Sequence, residues 1–170
     1  AERIRKRLSH GSAKPDNEQH PLVIVAKDHG ALTIRAMDQK AAGLGFQHGL
    51  TLADARARVP LLDVEALDEV ADQALLQRFA GACEIFTPLV ACDDHDTLML
   101  DITGCSHLFD GEERMHRAVA RIFTRAGYTL RATISGTPDS ARALARFGHQ
   151  QIIIPGDEAQ AAHDLPVMAL

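Results

Sequence analysis

The chain has 170 residues, 46% of them apolar, a net charge of −5 and a pI of about 6.0. That is enough apolar material for one ordinary domain or two small ones, and it excludes wholesale disorder. The acidic balance argues against strong autonomous binding of duplex DNA, and the lack of Trp with a single Tyr leaves little for a base-stacking platform.

In chain order, residues 2–8 (ERIRKRL) favour a basic helix, and residues 9–20 read as a polar loop or linker. Two β-rich runs follow, 22–26 (LVIVA) and 31–36 (ALTIRA). The stretch Lys27-Asp28-His29-Gly30 between them suits a hairpin turn. Small residues occupy 41–45. Thr51 is then a candidate N-cap for a short helix over 52–59, with Asp54 in the capping-box position and Pro60 as the stop. A second helix is predicted over 67–83, with Val70, Ala74, Leu75, Arg78, Phe79 and Ala82 at helical spacing.

From Phe86 the period changes. Residues 86–92 (FTPLVAC) and 97–103 (TLMLDIT) read as strands around the polar turn Asp93-Asp94-His95-Asp96. Leu98, Leu100 and Ile102 share one face, Met99 and Asp101 the other. Residues 112–126 form the clearest helix, with Met115, Val119, Ile122 and Phe123 on one stripe and Gly127 as its stop. A strand at 129–135, a helix from Pro138 to Phe147 capped by Thr137 and ended by Gly148, a strand at 151–154 and a helix at 157–163 complete the pattern. The expected class is α+β. The second half reads β-β-α-β-α-β, a ferredoxin-like mixed sheet with helices on one face.

Cys83, Cys92 and Cys105 are an odd number without paired spacing, which fits a reducing cytoplasm. No apolar run approaches the roughly 20 residues of a membrane span, and no signal peptide is visible. The start at Ala1 and the apolar end at Leu170 both read as cuts from a longer protein.

Asp93, Asp94, Asp96 and Asp101 surround a strand-turn-strand, as carboxylates do where they hold Mg²⁺ for phosphoryl transfer. The same residues also suit a solvated hairpin tip, because Asp bonds its own backbone. Cys105 and His107 lack a second ligand pair at zinc spacing. Gly43-x-Gly45 is not followed by the order of a nucleotide fingerprint. Thr137-Pro138-Asp139-Ser140 offers helix amides to a phosphate, or simply caps the helix.

Three stretches carry a resemblance: 41–62 (AAGLGFQHGLTLADARARVPLL), 98–112 (LMLDITGCSHLFDGE) and 132–147 (ATISGTPDSARALARF), with Phe86-Thr87-Pro88 between them. Together they resemble ImuB-type proteins, a branch of the Y-family (DinB/UmuC-like) translesion polymerases, over nearly the whole chain. The run from Leu100 and Asp101 through Gly104, His107, Phe109 and Gly111 to Glu112 is the most specific piece. The resemblance implies a fingers-like region at 1–79, a palm-like domain at 80–156, and at 157–170 the start of a connection to a thumb. It also implies that the first palm strand, with its metal-binding Asp, precedes this chain.

Active relatives carry Ser-x-Asp-Glu-x-x-Leu-Asp on the palm strand. The matching run here is Asp94 to Asp101, in which Asp96 keeps one carboxylate and Thr97 replaces the Glu. The Tyr and Arg that hold the triphosphate correspond to Gln39 and Ala42. The Lys of the Ser-Lys-x-Lys motif corresponds to Ser140. The implied function is a non-catalytic scaffold in damage-induced mutagenesis, without a cofactor. Its implied partners are the sliding clamp, an error-prone replicative-type polymerase and a RecA-like accessory protein, engaged beyond residue 170, with weak DNA contact and no membrane. Two alternatives stay open: a weakly active Mg²⁺-dependent translesion polymerase, and a small metal- or ligand-binding domain built on the acidic hairpin.

Overall fold

The computed structural model describes residues 3–4, 20–166 and 169. The expected basic helix at 2–8 and linker at 9–20 lie outside these, apart from Arg3 and Ile4, which are helical, and His20. The chain divides into two compact units, Ala1–Asp72 and Gln73–Leu170.

In the first unit, β1 (Leu22–Asp28) and β2 (Ala31–Met37) form the expected antiparallel hairpin. Its turn is tighter than predicted. His29 and Gly30 alone make it, at φ 44° and 89°, the left-handed pair that a two-residue hairpin loop requires. Two short helices follow, α1 (Gln39–Gly43) and α2 (Leu52–Arg58). Then β3 (Asp63–Ala66) runs parallel to β1, giving the order β2-β1-β3.

Neither α1 nor β3 is foreseen by the sequence reading. Asp38 caps α1 by accepting from the Ala41 amide at 2.8 Å. The β3 sequence DVEA carries two carboxylates and a single β-branched residue, so it forms a strand because β1 offers it a ladder. β1 is buried on both faces. Val23 and Val25 pack with Ile34, Ala41, Phe46, Leu52 and Ala55, while Leu22 and Ile24 pack with Ile4. That is why LVIVA is apolar without alternation.

Thr51 caps α2 as predicted. Its hydroxyl accepts from the Asp54 amide at 3.1 Å and donates to the Asp54 carboxylate at 2.7 Å. Thr51→Ala is expected to cost about 1 kcal/mol, and Thr51→Ser much less, in denaturant unfolding. Equal stability of wild type and Thr51→Ala would contradict the capping role. The chain leaves α2 before Val59-Pro60, as the residue preceding a proline must.

Helix α3 (Glu69–Cys83) begins two residues later than predicted, with Asp68 accepting from the Ala71 amide at 3.0 Å. Val70 is 80% exposed, and Ala74 and Arg78 are exposed too, so of the expected stripe Phe79 enters the core, joined by Cys83, which the stripe did not include. In the second unit the ladder is shorter than predicted. β4 (Val90–Asp93) pairs antiparallel with β5 (Thr97–Leu100), and Phe86 and Thr87 are buried outside it. A 3₁₀ turn (Ser106–Phe109) leads into α4 (Glu112–Arg125).

The four predicted residues of α4 enter one core. Met115 and Phe123 are buried with Cys83 and Phe86, and Val119 and Ile122 pack against them beside Leu98, Leu100 and Ile102. Helices α5 (Pro138–Phe147) and α6 (Glu158–Ala162) follow. Two predicted strands do not form ladders. Segments 129–135 and 151–154 meet at a single bridge, Ile134 to Ile152. Alternating residues give a segment β preference, but a ladder needs a partner over several residues. Among the described residues neither segment has one beyond that bridge. The fold is α+β, with a mixed sheet in the first unit and an antiparallel pair in the second.

Candidate functional site

The acidic turn lies between β4 and β5. Asp93 pairs across the ladder with Thr97, and Asp94 takes the left-handed conformation at φ 58° to close the loop. Asp bonds its neighbours here as expected: Asp94 Oδ1 accepts from the His95 amide at 2.9 Å, and Asp96 Oδ1 accepts from the Thr97 hydroxyl at 2.9 Å.

The sequence reading missed what faces these carboxylates. Arg146, in the last turn of α5, donates from Nη2 to Asp94 Oδ2 (3.0 Å), Asp96 Oδ1 (2.7 Å) and Thr97 Oγ1 (3.0 Å). One turn earlier, Arg142 Nε lies 2.8 Å from Asp93 Oδ2, an ion pair without hydrogen-bond geometry whose two atoms are shielded from solvent. The Arg146 guanidinium and the His95 amide hold the Asp94 carboxyl below the usual carboxylate range, and Asp94 in turn raises Arg146. The i, i+4 arginines on one helix face were the available signal. Fifty residues of separation hid their target.

Asp101 stands apart from this cluster. Its Oδ1 accepts from the Thr103 amide at 3.0 Å, and bonds from the Thr103 hydroxyl and amide hold its carboxyl below the usual carboxylate range. The loop amide is thus its partner, and Arg131 donates elsewhere, to the Gly148 carbonyl at 2.9 Å. Of the signature run, Phe109 packs against Phe86 with ring centroids 5.1 Å apart, and Leu100 joins the same core. Gly104 and Gly111 adopt φ of 73° and 108°, where a side chain would be strained. His107 and Glu112 are exposed.

Ser140 is committed to its own helix end. Its hydroxyl lies 2.6 Å from that of Ser135 and 2.7 Å from that of Thr137, and it donates to the Thr137 carbonyl at 2.9 Å. Asp139 in the same turn adds negative charge where an anion would have to approach. Gln39 and Ala42 are exposed on α1 in the first unit. Lys40 lies between them in the chain.

The arrangement does not suit a divalent metal. Mg²⁺ demands octahedral oxygen ligands at about 2.0–2.1 Å. Here the Asp94 and Asp96 carboxylates and the Thr97 hydroxyl already converge on a guanidinium. Cys105 Sγ is 3.7 Å from the Thr103 carbonyl, and among the described residues no three His, Cys, Asp or Glu side chains converge to hold a metal. No helix among the described residues is long and apolar enough to cross a membrane.

The architecture is that of the fingers and palm of Y-family DNA polymerases. The crystal structure of DinB from Sulfolobus solfataricus matches 99% of this chain over 50% of its own, with a TM-score of 0.72 at 15% identity. A post-insertion binary complex of Dbh DNA polymerase matches 96% over 50%, with a TM-score of 0.76 at 14% identity. At such identities the likeness is one of fold alone.

The chain belongs to the impB/mucB/samB family, which matches residues 10–146. It is 42% identical over 128 residues to Protein ImuB of Caulobacter vibrioides, in both strain NA1000 / CB15N and strain ATCC 19089 / CIP 103742 / CB 15. The matched stretch is 75% of this chain and 28% of that relative.

Proposed function

We propose that this chain is the fingers-and-palm part of a non-catalytic Y-family homologue that serves as a scaffold in damage-induced translesion synthesis. In this reading residues 1–79 are fingers-like, 80–156 palm-like, and 157–170 lead towards a thumb. The protein works in the cytoplasm, touches DNA weakly, and engages the sliding clamp, an error-prone replicative-type polymerase and a RecA-like accessory protein through regions beyond residue 170. The observation that carries the reading is the state of the palm hairpin: Asp96 is bonded to Arg146, and Thr97 stands where active relatives carry a Glu.

Phosphoryl transfer depends on positioning and on neutralising charge. Without a metal clamp and with Ser140 in place of a Lys, little remains here to do either. A second reading, a weak Mg²⁺-dependent polymerase, draws on Asp96, the one carboxylate kept at the family's metal position.

Thermal unfolding separates the two. A ligand at 100 times its Kd stabilises its protein by about 2.7 kcal/mol. For a chain of this size that raises Tm by roughly 5–10 °C. Mg²⁺ or Mn²⁺ with a deoxynucleoside triphosphate is expected to leave Tm unchanged. A rise that disappears in Asp96→Ala would favour the polymerase.

A further inference from the structure

The misfit between the hairpin and a divalent cation has a positive counterpart. We propose that α5 supplies the cation itself: Arg146, with Arg142 one turn away, is the built-in counter-ion of the hairpin, closing the remnant of the metal position and fastening the β4–β5 tip to the helix. This rests on the non-catalytic reading of the site.

Three features support it. A single Nη2 atom of Arg146 reaches both flanking carboxylates and the hydroxyl between β5 and the turn, at 2.7–3.0 Å. The guanidinium stays charged at any working pH, so it does not vacate the position by losing a proton. Thr97 is matched to it. Its hydroxyl accepts from Arg146 while donating to Asp96, and a carboxylate at that position would add a third negative group without a proton to give.

Arg142 neutralises Asp93, the remaining carboxylate of the tip. Without the two arginines, three carboxylates would crowd one turn with His95 beside them and Asp139 on the facing helix. The side chains of Arg146 and Asp96 are 38% and 76% exposed, so salt weakens the pairing and no large stability is expected of it.

The test measures Mn²⁺ binding, by its effect on water-proton relaxation, in the 170-residue chain and its variants. Removing an adjacent positive charge should tighten Mn²⁺ binding by about tenfold in Arg146→Ala relative to wild type. Adding Asp96→Asn to that variant should abolish the gain. Equal Mn²⁺ affinity in wild type and Arg146→Ala would overturn the proposal, as would a gain that survives Asp96→Asn.

Should Arg146→Ala not fold, Arg146→Gln enters a thermal double-mutant cycle with Asp96→Asn. Asp96→Asn should lower Tm only where Arg146 is present. Additive effects would overturn the proposal. Primer extension by wild type alongside the expected Mn²⁺ and cycle results would sink the scaffold reading and leave the counter-ion standing.

Discussion

Full-length protein carrying this chain, given a primed template, Mg²⁺ or Mn²⁺ and all four nucleotides, is expected to extend the primer no faster than an active relative stripped of its metal site. Each charge-assisted triphosphate contact that is lost weakens binding by about 1.5–3 kcal/mol. On the proposed reading two such contacts fall at Ser140, whose hydroxyl is spent on the Thr137 carbonyl, and at Ala42, which has nothing to donate. A metal clamp would have to hold both the attacking and the leaving oxygen. Here its surviving carboxylate, Asp96, is bonded at 2.7 Å to Arg146.

These effects are not additive, but every 1.36 kcal/mol is about a factor of ten in rate, so together they remove many orders of magnitude. The control is Asp96→Ala. Steady extension that vanishes in that variant would overturn the scaffold reading. Extension that persists in it would point to a contaminating polymerase.

Met115→Ala is expected to destabilise the second unit by about 2–5 kcal/mol. Met115 is 1% exposed and closes a cluster with Cys83, Phe86 and Phe123. Phe123 is stacked on Phe79 with ring centroids 4.4 Å apart, and Tyr128 meets Phe79 edge-on at 5.2 Å, so these rings cannot move in to fill the space without losing their own contacts. Leu100→Ala, which the strand pattern alone would rank as highly, should cost less, because Leu100 is only partly buried. Urea unfolding of both variants gives the comparison. A Met115→Ala protein within about 0.5 kcal/mol of wild type would show that this cluster is not the core of the unit.

The stripe Met115, Val119, Ile122 and Phe123 identified α4 and its buried face because a period of 3.6 residues is a local property of the chain. The caps at Thr51 and Thr137 were legible for the same reason, since a side-chain oxygen bonding an amide three residues on involves one turn of backbone.

Tertiary structure decided the rest. Whether DVEA becomes a strand, and whether 129–135 does not, depends on which segment lies alongside. Val70 faces water because it lies nine residues before Phe79, half a turn round the helix from the ring that enters the core. Arg142 and Arg146 read as surface charges on a helix. Only the fold brings them to carboxylates some fifty residues away, because an ion pair needs its partners within about 4 Å in space and places no condition on their distance along the chain.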